Sequence, residues 1–574
     1  MKFALCVILF SLSSWAADVP PEVQIALQGL RAGEKARAEA VLGDLALLPL
    51  YRGDFQVDVA KRTVKGKYSL TVTAKSALSE LVLRASPNVE HAGAVVLSKP
   101  KLSGAGKVLL SQPDPSTFVI ALEPALKAGE SATVEFEFKA TFGVLPKDSG
   151  GISALSAEGV AGDYGAWAAS DDMISLVGLV PMLVPAPNGR PFAPPSGIGD
   201  LGTAEPSNLV VSVTVPTGWR VTANGLAMGE VPTGAGTVRF AYAAAVARDM
   251  PIFLHKGAKV TTRTSGELEV ETILLGNDSK QAAEIAAHAE KAVELLGSKL
   301  GPYPYKTLRV VEMRLIHGAG GMEFPGLITV SSGLLAGNDS PLSMLGLPRE
   351  QEKMVEMMFG PALKQLIKST LEFTIDHEVA HQWSAMLVGN DPIAEPLADE
   401  PLTQHLALLV LEWRNGKAAA QQMRDGQLKA TYQMHRMLGG SDGKANRPTS
   451  GYDSNREYAA LVYGKAPLLF DEQRKVVGDD AWQRGLKTYF EQNRYRFAGT
   501  RTLTQVMAKQ SPSYARKLEE LRVHWWEEEH GDEDIGGYDI DALLNGMGGQ
   551  SSMPGIDKKQ LEEFEKAMKM LSGE

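Results

Sequence analysis

The sequence of 574 residues contains one cysteine. That residue, Cys6, lies in the apolar run at the start of the chain and reads as a filler hydrophobe rather than a lipid-attachment site. The remainder can form no disulfide and offers no thiolate to a metal. Basic tracts are also lacking. There are 58 Lys and Arg against 68 Asp and Glu, a formal net charge of -10, which excludes a nucleic-acid surface of the usual basic kind. Beyond the first residues no stretch reaches the roughly 18 unbroken apolar residues of a membrane span. Sequence repeats at solenoid periods are absent. With 44% hydrophobic and 22% charged residues, what remains is an ordinary globular composition, long enough for about two to four domains.

The first 17 residues have the character of an export signal. Lys2 supplies a positive start, residues 3–12 are apolar but too short to span a bilayer, and Ser14-Trp15-Ala16 puts small residues where a signal peptidase reads them. Cleavage near Ala16 or Ala17 is expected, giving a periplasmic or extracellular protein with no integral membrane segment.

Residues 18–48 are rich in Ala and Leu and predict a short helical lead-in. From Tyr51 the pattern changes to alternation of apolar and polar residues, as in Phe55-Gln-Val-Asp-Val and Ala132-Thr-Val-Glu-Phe-Glu-Phe. Period two with β-branched and aromatic residues predicts half-buried strands. Residues 50–255 therefore read as a β-rich sandwich or saddle, expected to be antiparallel. Beyond residue 258 helical periodicity dominates. Helices are expected over 280–300, 361–387, 402–438, 455–476 and 480–493, with one strand over 308–313. The division expected is a signal over 1–17, a β-rich domain over 18–257, a helical domain over 258–546, and a linker with a short charged tail over 547–574.

Within the longest helix stands His377-Glu378-Val379-Ala380-His381. Positions i and i+4 share a helix face, so the two imidazoles can grip one ion while Glu378 reaches a water beside it. A catalytic zinc site takes a third protein ligand and leaves the fourth position to water. Two carboxylates compete for that role, Glu400 and Glu395. Glu400 opens a helix whose apolar stripe is Leu402, Leu406, Leu409 and Trp413, and Pro401 is tolerated in its first turn.

These residues resemble the aminopeptidase N family of gluzincins, peptidase family M-one, which also contains the leukotriene epoxide hydrolase. The family pattern is H-E-x-x-H, eighteen residues and a Glu, and His377 to Glu400 has that spacing. Gly320-Gly321-Met322-Glu323 is similar to the family's G-x-M-E-N segment, and Tyr463-Gly464-Lys465-Ala466 to its Tyr-x-Lys-Gly segment. The departures are Phe324 where the family has Asn, Pro401 where it has Gly, and about 50 residues between Glu323 and His377. Part of that stretch, 333–360 with Met344, Met354, Met357 and Met358, is expected to add core packing rather than a lid.

The resemblance implies one zinc ion per chain on His377, His381 and Glu400, with Glu378 as general base and Tyr463 as a donor to the tetrahedral intermediate. It also implies that Glu323, within the Gly320-Gly321-Met322 turn, binds the free α-amine of a peptide. The fold implied is multidomain α+β. A β-rich N-terminal domain precedes a mostly α-helical, thermolysin-like catalytic domain, and the large C-terminal helical domain of many relatives is expected to be absent. The function implied is zinc-dependent removal of N-terminal residues. The alternatives are a same-fold endopeptidase or epoxide hydrolase, or a catalytically silent zinc-binding protein. His317, His405 and His524 are expected to be structural.

Overall fold

The computed structural model describes residues 19–145, 162–187, 189–234, 236–276, 278–335 and 349–536, with backbone alone over 349–363. The expected signal and the 547–574 tail lie outside the described residues. So does Met344, and the side chains of Met354, Met357 and Met358 are likewise outside them.

Alternation does build the N-terminal half. In the strand Ser131–Thr141, Ala132, Val134, Phe136, Phe138 and Ala140 are buried while Glu135, Glu137 and Lys139 face water. That strand sits in a seven-stranded sheet whose spatial order is Leu226–Gly234, Thr237–Ala247, Ser207–Pro216, Leu50–Asp58, Thr63–Thr73, Ser131–Thr141, Val95–Leu102. The expected antiparallel character holds except at its centre, where Leu50–Asp58 runs parallel to Ser207–Pro216. A parallel pair needs a long crossover, and here the intervening chain builds a four-stranded sheet and three strands of a further five-stranded one. A single apolar core runs between them, in which Phe55 meets Phe138 at 4.7 Å between ring centroids.

The helical half opens on a second departure. Its sheet has five strands, ordered Lys259–Ser265, Leu268–Leu274, Thr307–Met313, Leu327–Ser331, Gly321–Phe324, where the sequence predicts one. The helix Ser279–Leu300, capped by Asp278 on the N–H groups of Lys280 and Gln281, crosses over between two parallel strands of this sheet. Among the described residues the Gly321–Phe324 strand pairs on one side only, with Leu327–Ser331.

The long helix spans Arg349–Ala380, rather than 361–387. It begins twelve residues earlier and runs through Pro361, the residue at which the apolar periodicity predicts its start. It stops at Ala380 because a turn replaces the ladder there, although the N–H of His381 still donates to the carbonyl of His377 at 3.1 Å. The helix Glu400–Asn415 packs beside it. The lead-in helices Pro21–Leu27 and Glu34–Leu42 are tied to the helical half by buried Glu34, which accepts from Arg494 Nε at 2.8 Å. No helix among the described residues is long and apolar enough to cross a membrane.

Candidate metal centre

The last turn of the Arg349–Ala380 helix and the first turn of the Glu400–Asn415 helix bring three ligand atoms together. His377 Nε2 and His381 Nε2 are 3.0 Å apart. Glu400 Oε2 is 3.2 Å from the first and 3.5 Å from the second. Four ligands at about 2.0–2.1 Å around a tetrahedral zinc stand about 3.3–3.4 Å from one another, so these spacings fit such an ion. Glu400 Oε2 has no hydrogen-bond partner among the described residues, and all three side chains are buried. Burial raises a carboxyl's pKa, but here His381 and His377 overcome it and hold Glu400 well below its usual range. Glu395, the competing carboxylate, is committed elsewhere: its Oε2 accepts from the Thr500 N–H at 2.7 Å.

A layer of contacts that the sequence reading missed fixes these ligands. The Nδ1 of His381 faces Asp399 Oδ1 at 3.1 Å and Thr403 Oγ1 at 3.2 Å. Such a partner sets the tautomer of a metal-ligating imidazole. Arg414 clamps buried Asp376 with two bonds of 2.9 Å, and His288 Nε2 meets the same carboxylate at 2.9 Å. This joins the histidine-bearing helix to the one that carries Glu400. Adjacency to Glu400 and to His377 is the only sequence signal for Asp399 and Asp376, respectively.

The segment expected to be a glycine-rich turn is instead the edge strand. Alternation there puts Gly321 and Glu323 on one face and Met322 and Phe324 on the other. A Cβ on Gly321 would lie 2.5 Å from Glu378 Oε1, so only glycine lets the strand lie this close to the metal helix. Gly320 approaches Thr374. Met322 and Phe324 enter the apolar cluster around Phe253, so the replacement of the family Asn by Phe324 falls on the face turned from the metal ligands. Gln382 staples the strand end to the helix. Its Nε2 donates to the Phe324 carbonyl at 2.9 Å, and its Oε1 accepts from the Gly326 N–H at 2.8 Å. The Glu323 carboxylate is held within 4.8 Å of both a His381 ring nitrogen and Asp399. Burial pushes its pKa up to about 7, against the pull of His381 and with the push of Glu400 and Asp399.

The strand and both helices line a cavity of about 610 Å³, closed on its other side by Tyr164, Phe192 and Asp200 of the β-rich half. Glu378 borders it, with Oε2 unpartnered among the described residues. Burial drives the Glu378 carboxyl well above its usual range; His381 opposes this, and Glu323, Glu400 and Asp399 add to it. Tyr463 borders it too, its ring 6.0 Å from that of His377. Burial holds the Tyr463 hydroxyl protonated, and Glu400 adds to that. Tyr463 lies in a π-helical turn, Ala459–Lys465. Tyr458, the residue before that turn, also borders the cavity, and its buried hydroxyl has no hydrogen-bond partner among the described residues. Tyr458 and Asp200 had no legible sequence signal. Of the unassigned histidines, His405 is a core residue that accepts from Trp482 Nε1 at 3.0 Å, while His317 borders the cavity.

Comparison with known proteins bears on the same segment. Residues 355–526 match the peptidase family M1 domain. No curated protein matches the chain by sequence. Among solved structures, an M1 zinc metallopeptidase from Deinococcus radiodurans is similar, with a TM-score of 0.57 and 18% identity, over 83% of this chain and 94% of that one. A two-domain M1 zinc metallopeptidase mutant bound to L-arginine has a TM-score of 0.56 at 18% identity, over 84% of this chain and 94% of that one. A mutant M1 zinc metallopeptidase from Deinococcus radiodurans bound to a Tyr-Ser-Ala substrate has a TM-score of 0.55 at 18% identity, over 83% and 94%. At that identity the structures show a common fold, a β-rich N-terminal part followed by a helical region. Residues 355–526 thus carry a peptidase family M1 domain, and the metal-ligand group His377, His381 and Glu400 lies within it.

Proposed function

We propose that this zinc peptidase is an aminopeptidase that removes residues from peptides with a free N-terminus. The observation that carries the reading is Glu323. Its carboxylate is half-buried beside the metal ligands, and no Lys or Arg among the described residues pairs with it. A peptide's α-ammonium supplies the missing cation, and anchoring that group beside the ion sets the cut one residue in. The open side of the Gly321–Phe324 strand adds main-chain donors and acceptors for an extended peptide.

His377, His381 and Glu400 would hold zinc, which would supply the Lewis acidity that lowers the pKa of a water and polarises the scissile carbonyl. Glu378 takes the proton from the attacking water and delivers it to the leaving amine. The Tyr463 hydroxyl donates to the oxygen on which negative charge develops. Gly320, Gly321 and Met322 present the strand that carries Glu323. Expected domain limits at 18–257 and 258–546, and export directed by residues 1–17, belong to the proposal on sequence alone.

Paired peptides, free and N-acetylated, test the reading. The enzyme should cleave the free peptide and spare the acetylated one. Glu323→Ala should lower kcat/KM for the free peptide by about 10–100-fold, mainly through KM, as expected for a charged hydrogen bond of roughly 1.5–3 kcal/mol. Equal cleavage of both peptides by the unmodified enzyme would sink the aminopeptidase reading and favour an endopeptidase. Tyr463→Phe removes one hydroxyl with little change of packing. It should cost about 2.7–4 kcal/mol in the transition state, seen as a drop in kcat at similar KM. A change confined to KM would move Tyr463 from the chemistry to substrate binding.

A further inference from the structure

A second group of metal-ligating side chains lies at the end of the described chain. The buried Trp525 and Trp526 anchor a short π-helical turn, Val523–Glu527, within which His524 is partly exposed. Glu528 follows one residue beyond the turn, and His530 precedes the short helix Gly531–Asp534. The two imidazoles stack face to face, 4.3 Å between centroids and 8° from parallel. Both aim a nitrogen at the same oxygen: His524 Nδ1 is 3.7 Å and His530 Nε2 3.3 Å from Glu528 Oε2. The three ligand atoms all lie within 4.8 Å of one another.

The opposite edges of the rings are also held. His524 Nε2 is 2.7 Å from Asp534 Oδ2, and His530 Nδ1 is 3.2 Å from Glu533 Oε2. Each histidine thus turns one nitrogen to a shared point and the other to a carboxylate. That arrangement fixes the tautomer of an imidazole that ligates a metal. Stacking alone does not require it, and the cavity beside the catalytic ligands does not include these residues.

We propose that His524, Glu528 and His530 form a second metal site, for a borderline divalent cation such as zinc. Two imidazole nitrogens and one carboxylate oxygen suit such an ion. The side chains are a third to a half exposed, at 35%, 47% and 35%, so they can close on it and water can fill the open positions. The His530 gap of 3.3 Å already matches the 3.3–3.4 Å or so of a tetrahedral edge, and the His524 gap of 3.7 Å needs to contract towards it, with the stacked rings tilting so that each nitrogen faces the ion in its own ring plane. Occupancy would clamp the Val523–Glu527 turn to the Gly531–Asp534 helix.

The test is equilibrium dialysis of the full-length enzyme against zinc(II) alone, followed by elemental analysis. The intact enzyme should hold two zinc ions per chain, and the double variant His524→Ala, His530→Ala should hold one with unchanged peptidase activity. Glu528→Gln, which disturbs packing less, should also hold one, so that misfolding of the double variant leaves a reading. A single zinc in the intact enzyme overturns the proposal. Two in both variants overturns it as well, because the second ion would then sit elsewhere. Neither result depends on which peptides the enzyme cuts.

Discussion

Glu378→Gln should leave zinc and fold in place while kcat falls by about 10²–10⁴-fold, the usual contribution of a positioned general base. Glu378 is not one of the three converging ligands, so its loss removes no bond to the ion. Glutamine has nearly the same volume, and volume matters at this position. The side chain lies directly against Gly321, at a spacing that would not admit even a methyl group on that residue. The amide can occupy the same slot but cannot accept and return a proton. Zinc content by elemental analysis and turnover of an amino-acid amide, measured on the same preparation, check both halves. Near-normal turnover with full zinc would remove Glu378 from the mechanism.

Glu400→Ala should have the opposite signature, loss of the metal itself. Its Oε2 supplies two of the three short separations that frame the site, 3.2 Å to His377 and 3.5 Å to His381. Two histidines alone leave an open site. The fall in affinity should exceed the roughly 10–100-fold that follows loss of an outer partner. Asp399 cannot take its place, because its carboxylate is engaged with His381 Nδ1, and Glu395 is bound to the Thr500 turn. After dialysis the variant should have lost the catalytic zinc, with activity returning only in part as zinc is added back. An unchanged zinc content would show that the histidines close the site with some other ligand.

The two variants separate functions that the sequence could assign only by pattern. His377 and His381 were legible because a helix repeats every 3.6 residues through bonds between near neighbours, so a four-residue spacing is a statement about space. Glu400 was legible to the extent that helix length and a short connection constrain where a second helix begins. The same local rule explains the success with Ser279–Leu300, where Asp278 and Gly301 mark the ends. The long helix departs from it, because Arg349–Ala380 continues through Pro361 rather than starting there.

Strands carry no such local rule. Alternation announced that residues 50–255 are β-rich, yet it could not reveal that Leu50–Asp58 lies parallel to Ser207–Pro216, since that choice is made between partners some 150 residues apart. Four strands of the five-stranded sheet escaped notice for the same reason, among them the edge strand, read as a turn from its glycines. The sequence carried the identities of the chemical groups and the helical spacing of two of them. Tertiary structure alone decided that Gly321 lies against Glu378, that Gln382 bonds Phe324 and Gly326 at the end of the strand carrying Glu323, and that Tyr458 and Asp200 border the same cavity. Those contacts join segments distant along the chain, and their energies exist only once burial has drawn the segments together.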